Sequence, residues 1–353
     1  MLRRILKGLA TSRALIDADE ALRHARELAN ESRHGEAIAR LDHLLSARPD
    51  CVDGLVLRAS IKRAIRQLAG AAEDVGRAME LAPDDPRCVF ELAFVTYLQG
   101  DRRLALEYCE RLRQASPGDE RACTLHAHIQ LGGDHYHQLL VRILDFVKPR
   151  TYVEIGVDAG DSLRLVEPPA LAIGIDPEPR LTHPLRANQK VFAMRSDAFF
   201  ASHDLRAELG GLPVDLAFID GMHHFEYALR DFAHLERYCA RDSTILIHDC
   251  FPLDRETAER DRRYTFWSGD IWRLIVLLRK HRPDLAVHTI GAPPTGLGLV
   301  RNLDPGSRVL LEHYDQLCKE LLSLDYSYLD ADKAGKLNLF PGEWEKVRTL
   351  ISS

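Results

Sequence analysis

The alternation of apolar and polar positions changes character along this 353-residue chain. In the first third, apolar residues recur at helical spacing, and whole columns repeat. Pro49, Pro83 and Pro117 stand 34 residues apart, as do Ala37, Ala71 and Ala105. The trios Leu41, Val75, Cys109 and Leu44, Ala78, Leu112 keep the same interval. A small residue lets two helices approach closely, and the apolar residues four and seven positions later lie on the same helical face. Proline lacks an amide donor and disfavours helix at the preceding residue, so each one closes a helix. The columns predict paired helices in units at about 17–50, 51–84 and 85–118.

From Tyr152 the pattern becomes short continuous apolar runs: TYVEIGV (151–157), LAIGID (171–176), KVFAM (190–194), VDLAFID (214–220) and STILIHD (243–249). Helical stretches such as FEYALRDFAHLERYCA (225–240) lie between them. Apolar strands alternating with helices predict a parallel sheet covered on both faces, which binds ligands beyond the carboxyl ends of its strands. After the helix at 271–281, LAVHTI (285–290), GAPPTG and LGLVR (297–301) read as strand, turn, strand. The tail carries a helical stretch at 307–324, whose Val309, Leu310, Leu317 and Leu321 would pack on the domain or form a dimer contact.

Composition narrows the class. The chain is 46% hydrophobic and 28% charged, which excludes long disorder, collagen and small disulfide scaffolds. A net charge of −6 argues against a broad basic surface for nucleic acid. No run approaches the roughly 18 apolar residues that span a bilayer. Lys7 and Arg13 interrupt the basic start, which speaks against a secretory signal. A short amphipathic helix there would touch a membrane surface or, the favoured reading, pack on its own domain. Seven scattered cysteines without a C-x-x-C pair fit neither a disulfide framework nor a zinc ribbon, and a cytoplasmic location is expected.

Candidate chemistry gathers at the strand ends. The first run continues as E-I-G-V-D-A-G-D-S, with Glu154, Gly156, Gly160 and Ser162. The second ends at Asp176, the third is followed by Ser196-Asp197, the fourth ends Ile219-Asp220-Gly221, and the fifth His248-Asp249. One aspartate alone would serve as a helix cap. Five such positions along one sheet edge point to a polar ligand site.

Two resemblances follow from these residues. The 34-residue units are similar to tetratricopeptide repeats, departing where Leu55 and Val89 occupy positions usually held by a large aromatic. The segment 134–302 resembles the class I S-adenosylmethionine-dependent methyltransferases, and within them the bacterial group whose fourth and fifth strands read I-D-G-x-H and H-D. The resemblance implies an α/β, Rossmann-like seven-stranded sheet with a terminal β-hairpin. An all-α repeat domain over 1–133 precedes it, and a helical extension over 303–353 follows.

The resemblance also implies roles. Glu154, Gly156, Gly160 and Ser162 would line the methionine part of S-adenosylmethionine, Asp176 would hold the ribose hydroxyls, and Asp197 would approach the adenine amino group. Asp220 would touch the cofactor too. His223 stands where the metal-dependent catechol-type enzymes carry a lysine thought to act as base, so His223 and Asp220 are the catalytic candidates. Asp220 and Asp249 correspond to two metal-binding carboxylates of those enzymes, which favour magnesium. The residue after the second aspartate is Cys250, a poor magnesium ligand, and His248 is the substitute candidate. His224 and the pairs His126/His128 and His135/His137 read as structural, because residues two apart on a helix face different ways.

The seventeen-residue segment 254–270 is expected either to overhang the pocket, with Arg262, Arg263, Tyr264 and Trp267 toward an acceptor, or to be a solvated loop with Trp267 tucked into the core. The expected activity is O-methylation of a small-molecule or sugar-containing acceptor, with repeats for protein-partner binding, packing or self-association. The alternatives are a non-catalytic repeat-based scaffold and, less favoured, a metal-dependent hydroxylase-like enzyme.

Overall fold

The computed structural model describes residues 18–352, so the basic start with Lys7 and Arg13 lies outside the described residues. The chain divides into two compact units between Ile129 and Gln130, four residues before the expected boundary.

The first unit is helical: α1 (18–30), α2 (His34–Ala47), α3 (Val52–Ala64), α4 (Leu68–Leu81), α5 (Pro86–Leu98), α6 (Arg102–Ala115) and α7 (Glu120–Leu131). Turns of three or four residues join them, which makes neighbours antiparallel. Pro49, Pro83 and Pro117 each stand two positions beyond the last residue of α2, α4 and α6. Ala37, Ala71 and Ala105 are fully buried, as are Leu41, Val75 and Cys109. Leu55 and Val89 fill the aromatic positions and are buried as well. Aspartates start the later helices: Asp85 accepts from the Arg87 amide, Asp101 from Leu104, and Asp119 from Arg121 and Ala122. Such caps contribute about 1 kcal/mol each by satisfying amides that lack a helical partner.

The second unit opens with α8 (Tyr136–Val147) and then alternates: β1 (Thr151–Ile155), β2 (Leu171–Asp176), β3 (Gln189–Ala193), α9 (Ser196–Ser202), α10 (Leu205–Glu208), β4 (Val214–Ile219), α11 (Phe225–Glu236), β5 (Cys239–His248) and α12 (Trp272–His281). The hairpin β6 (Ala286–Ile290) and β7 (Leu297–Arg301) follows. The tail adds α13 (Val309–Glu312), α14 (Tyr314–Leu322), α15 (Ser327–Asp330), α16 (Lys333–Lys336), β8 (Leu339–Phe340) and α17 (Trp344–Ser352).

The strand order is β3-β2-β1-β4-β5-β7-β6-β8. The first five strands are parallel, and β7 runs antiparallel to both β5 and β6. The seven expected strands are all present, and the sheet gains an eighth. Residues Leu339 and Phe340 pair with Thr289 and Ile290, so the extension closes an otherwise open edge.

Side chains alternate between two cores. Val153, Ile155, Ile173, Ile175, Ala217 and Ile219 pack with α11, α12 and α14, whereas Tyr152, Leu216 and Phe218 pack with α8 and α17. The stretch 303–353 is therefore not a separate appendage. Leu310, Leu317 and Leu321 join the first core, Val347 and Ile351 the second, and Val309 stays exposed.

Strand order reverses between β1 and β4, the place where such sheets bind ligands. The two strand ends lie so close that a Cβ on Gly156, whose φ is +89°, would collide with the Asp220 carbonyl. Glycine is the residue that permits both the backbone angle and the approach.

Candidate active site

A cavity of about 760 Å³ opens at the carboxyl ends of these central strands. Gly156, Asp176, Asp197, Asp220 and His223 all line it, brought together from four separate turns. Glu154, Gly160 and Ser162 do not. Glu154 is fully buried beneath it and accepts hydrogen bonds from the Tyr152 hydroxyl (2.8 Å) and the Ser162 hydroxyl (2.6 Å). Burial pushes its carboxyl up to about 8, and those two bonds only partly offset the shift. Gly160, with φ +80°, lies against Leu181 and His183.

Asp176 is occupied by its own loop. Its Oδ2 accepts from the amides of Val157 (2.8 Å) and Asp158 (2.9 Å), and its Oδ1 from Glu178 (2.7 Å). The carboxylate thus fixes the turn after β1 as well as facing the cavity. Asp197, in the first turn of α9, pairs with Arg195 at 2.6 Å. Burial would raise its pKa, but Arg195 and the Ala198 amide hold it below the usual carboxylate range.

At the other end, His223, His248, Asp220 and Asp249 converge. His223 Nδ1 is 3.0 Å from Asp249 Oδ2, and its Nε2 is 3.7 Å from Asp220. His248 Nδ1 is 3.2 Å from both carboxylates. These are ion-pair distances without hydrogen-bond alignment: His223 Nδ1, both His248 nitrogens and Asp249 Oδ2 are buried without a hydrogen-bond partner. Burial alone would lower both imidazoles, but the facing carboxylates reverse this and raise them, His248 strongly. Burial would raise Asp249, yet the two histidines hold it far below its ordinary value. Asp249 also sits at φ +62°, a conformation uncommon outside glycine and typical of residues constrained at functional sites.

Asp220, His223 and Asp249 present ligand atoms within 4.8 Å of one another. His248, the third expected ligand, also stands 3.2 Å from both carboxylates, under the Tyr136 ring 4.2 Å away. Cys250 plays no part in the cluster. Its thiol is buried in the apolar core and donates to the Ile247 carbonyl at 3.2 Å. Of the histidines read as structural, His224 lies 2.9 Å from the Arg260 carbonyl, and His135 caps α8.

The segment 254–270 is held along its length, with Ala258 and Phe266 buried, Arg255 paired with Asp325 and Arg260 with Glu226. Trp267 donates its indole N–H to the Glu259 carbonyl at 2.6 Å and stacks on His223. Fully buried Asp270 accepts from the Phe225 amide and pairs with Arg260. Arg262 and Arg263 are exposed. The cavity wall also includes Glu178, Met222, Tyr227 and Asp231, which sequence patterns did not single out. Only the proximity of Glu178 and Met222 to strand-end motifs could have signalled them.

Residues 153–250, from β1 through the Asp249 turn, match the family described as a methyltransferase domain. That match lies within the second unit, whereas the first unit is an array of antiparallel helix pairs. Among solved structures, the O-methyltransferase TomG from Streptomyces achromogenes, involved in tomaymycin synthesis and bound to SAM, is 17% identical; the match covers 48% of this chain and 80% of that one, with a TM-score of 0.37. Cofactor-bound Rv0187 from MTB is 18% identical over 55% of this chain and 94% of that one, TM-score 0.38. The second TPR domain of human RPAP3, in complex with an HSP70 peptide, is 17% identical over 33% and 98%, TM-score 0.31. No curated protein matches the chain. No helix among the described residues is long and apolar enough to cross a membrane.

Proposed function

We propose that the protein transfers a methyl group from S-adenosylmethionine to an oxygen of a small-molecule or sugar-containing acceptor, while the repeats bind a protein partner. The observation that carries this reading is the single cavity in which Gly156, Asp197, Asp220 and His223 meet at the reversal of strand order. Its wall also suits the ligand's charge, since the carboxylates of Asp158, Asp176, Glu178, Asp197 and Asp220 line it against Arg180, Arg195 and His223. A cationic sulfonium is stabilised by such an excess.

The cofactor would supply an electrophilic methyl carbon. An acceptor hydroxyl must then lose its proton, and His223 is placed to take it. Asp249 lies 3.0 Å from Nδ1 of the imidazole, and Trp267 stacks on the ring face. Cys250, the poor magnesium ligand, is a core residue outside the cluster.

A second reading is favoured by the orphaned buried atoms of His223, His248 and Asp249. Donors that converge without hydrogen-bond alignment suit a shared divalent cation. Two imidazoles among them shift preference from magnesium toward softer transition ions. Such an ion would act as a Lewis acid on the acceptor hydroxyl.

Calorimetry with S-adenosylmethionine tests the main reading. Wild type is expected to bind and Asp220→Ala to bind more weakly; absence of heat with wild type would overturn the cofactor assignment. Turnover against acceptor panels, with and without chelator, then separates the two roles of His223.

A further inference from the structure

The helix α11 begins just after His223, yet its own start supplies no side-chain cap: His224, the residue before it, makes no hydrogen bond to the first-turn amides. The acceptor comes from Asp270, 45 residues further along the chain. Its side chain is fully buried, and Oδ1 accepts from the Phe225 amide at 2.7 Å. Oδ2 is held by Arg260 at 2.7 Å and by Arg273 at 3.1 Å. Arg273 is itself anchored on the Leu321 and Leu324 carbonyls.

The neighbouring residues are gripped in the same way. The Asp270 amide donates to the His223 carbonyl at 3.3 Å, the Arg260 carbonyl lies 2.9 Å from His224 Nε2, and the Arg260 guanidinium pairs with Glu226. Four consecutive residues, His223 to Glu226, are thus held by Arg260 and Asp270. Gly269 permits the approach: its φ is +61°, and a Cβ there would collide with the His223 carbonyl.

We infer that Asp270 is a positioning residue for His223, which fixes from a distant loop the turn that carries the imidazole. The inference rests on His223 being the base proposed above. A carboxylate at a helix N-terminus satisfies a free amide and suits the helix dipole. Here the cap is supplied across the fold, so the loop's conformation and the start of α11 are tied together. The carboxylate cannot swing away without leaving two guanidiniums short of their partner. Trp267 stacks on the His223 ring, and Asp270 holds the backbone beneath it. A displacement of about 1 Å near the chemistry can cost about a hundredfold in rate, so a rigid turn here bears on catalysis as well as on stability.

The experiment measures NMR cross-relaxation between the His223 and Trp267 ring protons in the full chain, deuterated except at histidine and tryptophan, with chelator present. Wild type should show the contact that the ring stack requires. Asp270→Ala should lose it while the other histidine and tryptophan signals stay in place, a change that a merely stabilising residue would not produce. Asp270→Asn keeps an acceptor for the Phe225 amide and should retain the contact; its loss there overturns the capping role. Gly269→Ala leaves the carboxylate in place but pushes on the His223 carbonyl, so it should weaken the contact, and it decides the matter if Asp270→Ala fails to fold. The contact at wild-type strength in folded Asp270→Ala or Gly269→Ala overturns the inference. These spectra need no acceptor, so they are read apart from the base assignment, which fails if His223→Gln leaves turnover unchanged.

Discussion

His223 lies flat against Trp267, with ring centroids 5.0 Å apart and planes 6° from parallel. Trp267 is itself tethered through its indole N–H to the Glu259 carbonyl. The stack couples the segment after β5 to the imidazole best placed to take a proton.

Removing that stack should impair the chemical step more than cofactor binding. Trp267→Ala is expected to lower kcat by about 10- to 100-fold, the scale of a misplaced catalytic group. Trp267→Phe should retain most of the rate, and His223→Gln should lose about 100-fold or more. Steady-state kinetics with a turned-over acceptor checks this; unchanged kcat in Trp267→Ala would remove the positioning role.

The convergence of His223, His248, Asp220 and Asp249 predicts a metal response that differs from that of a carboxylate-only site. Manganese or zinc should raise the melting temperature of the second unit more than magnesium does. An ion at a hundredfold excess over its Kd adds about 2.7 kcal/mol of stability. Asp249→Asn and His248→Gln should each diminish the effect, and a chelator should reverse it in wild type. Thermal melts with each ion measure this directly, and equal melts with and without metal would rule the cation out.

Glu154 gives a prediction about stability and pH. In the unfolded chain its carboxyl ionises near the ordinary 4.5, whereas in the folded state it keeps its proton to about 8. Between those values the folded state binds more protons, so stability falls as pH rises, by up to about tenfold in the folding constant per pH unit. Asp231, raised to about 7, acts in the same direction. Glu154→Gln should remove its share of the slope and be the more stable variant at pH 8, relative to wild type, than at pH 5. Denaturant unfolding at the two pH values is the check; parallel losses in both proteins would contradict the buried protonated acid.

Much of the fold is legible because it is written locally. The 34-residue columns record a helix-pair period, and Ala37, Ala71 and Ala105 announce close helix contacts wherever they occur. Strand-end motifs are equally local, which is why Gly156, Asp197, Asp220 and His223 could be named together. Glu154 does not line the cavity for a definite reason. Successive strand residues face opposite sides, and Glu154 shares the face of Tyr152 and Phe218, which the helices α8 and α17 cover. The two-residue strand β8 is too short for a periodic signal and exists only because β6 offers it an edge.

The sequence by itself determined the repeat array, the parallel sheet with its terminal hairpin, and the row of polar residues at the strand ends, since each depends on near neighbours along the chain. Tertiary structure alone decided that His223 and not Cys250 stands beside Asp220 and Asp249, that Asp176 spends its carboxylate on backbone amides, and that Asp231 reaches Ser196 across 35 residues of chain. Those relationships depend on how strands are ordered and which face each side chain takes, and no local pattern encodes a distance between residues brought together only by folding.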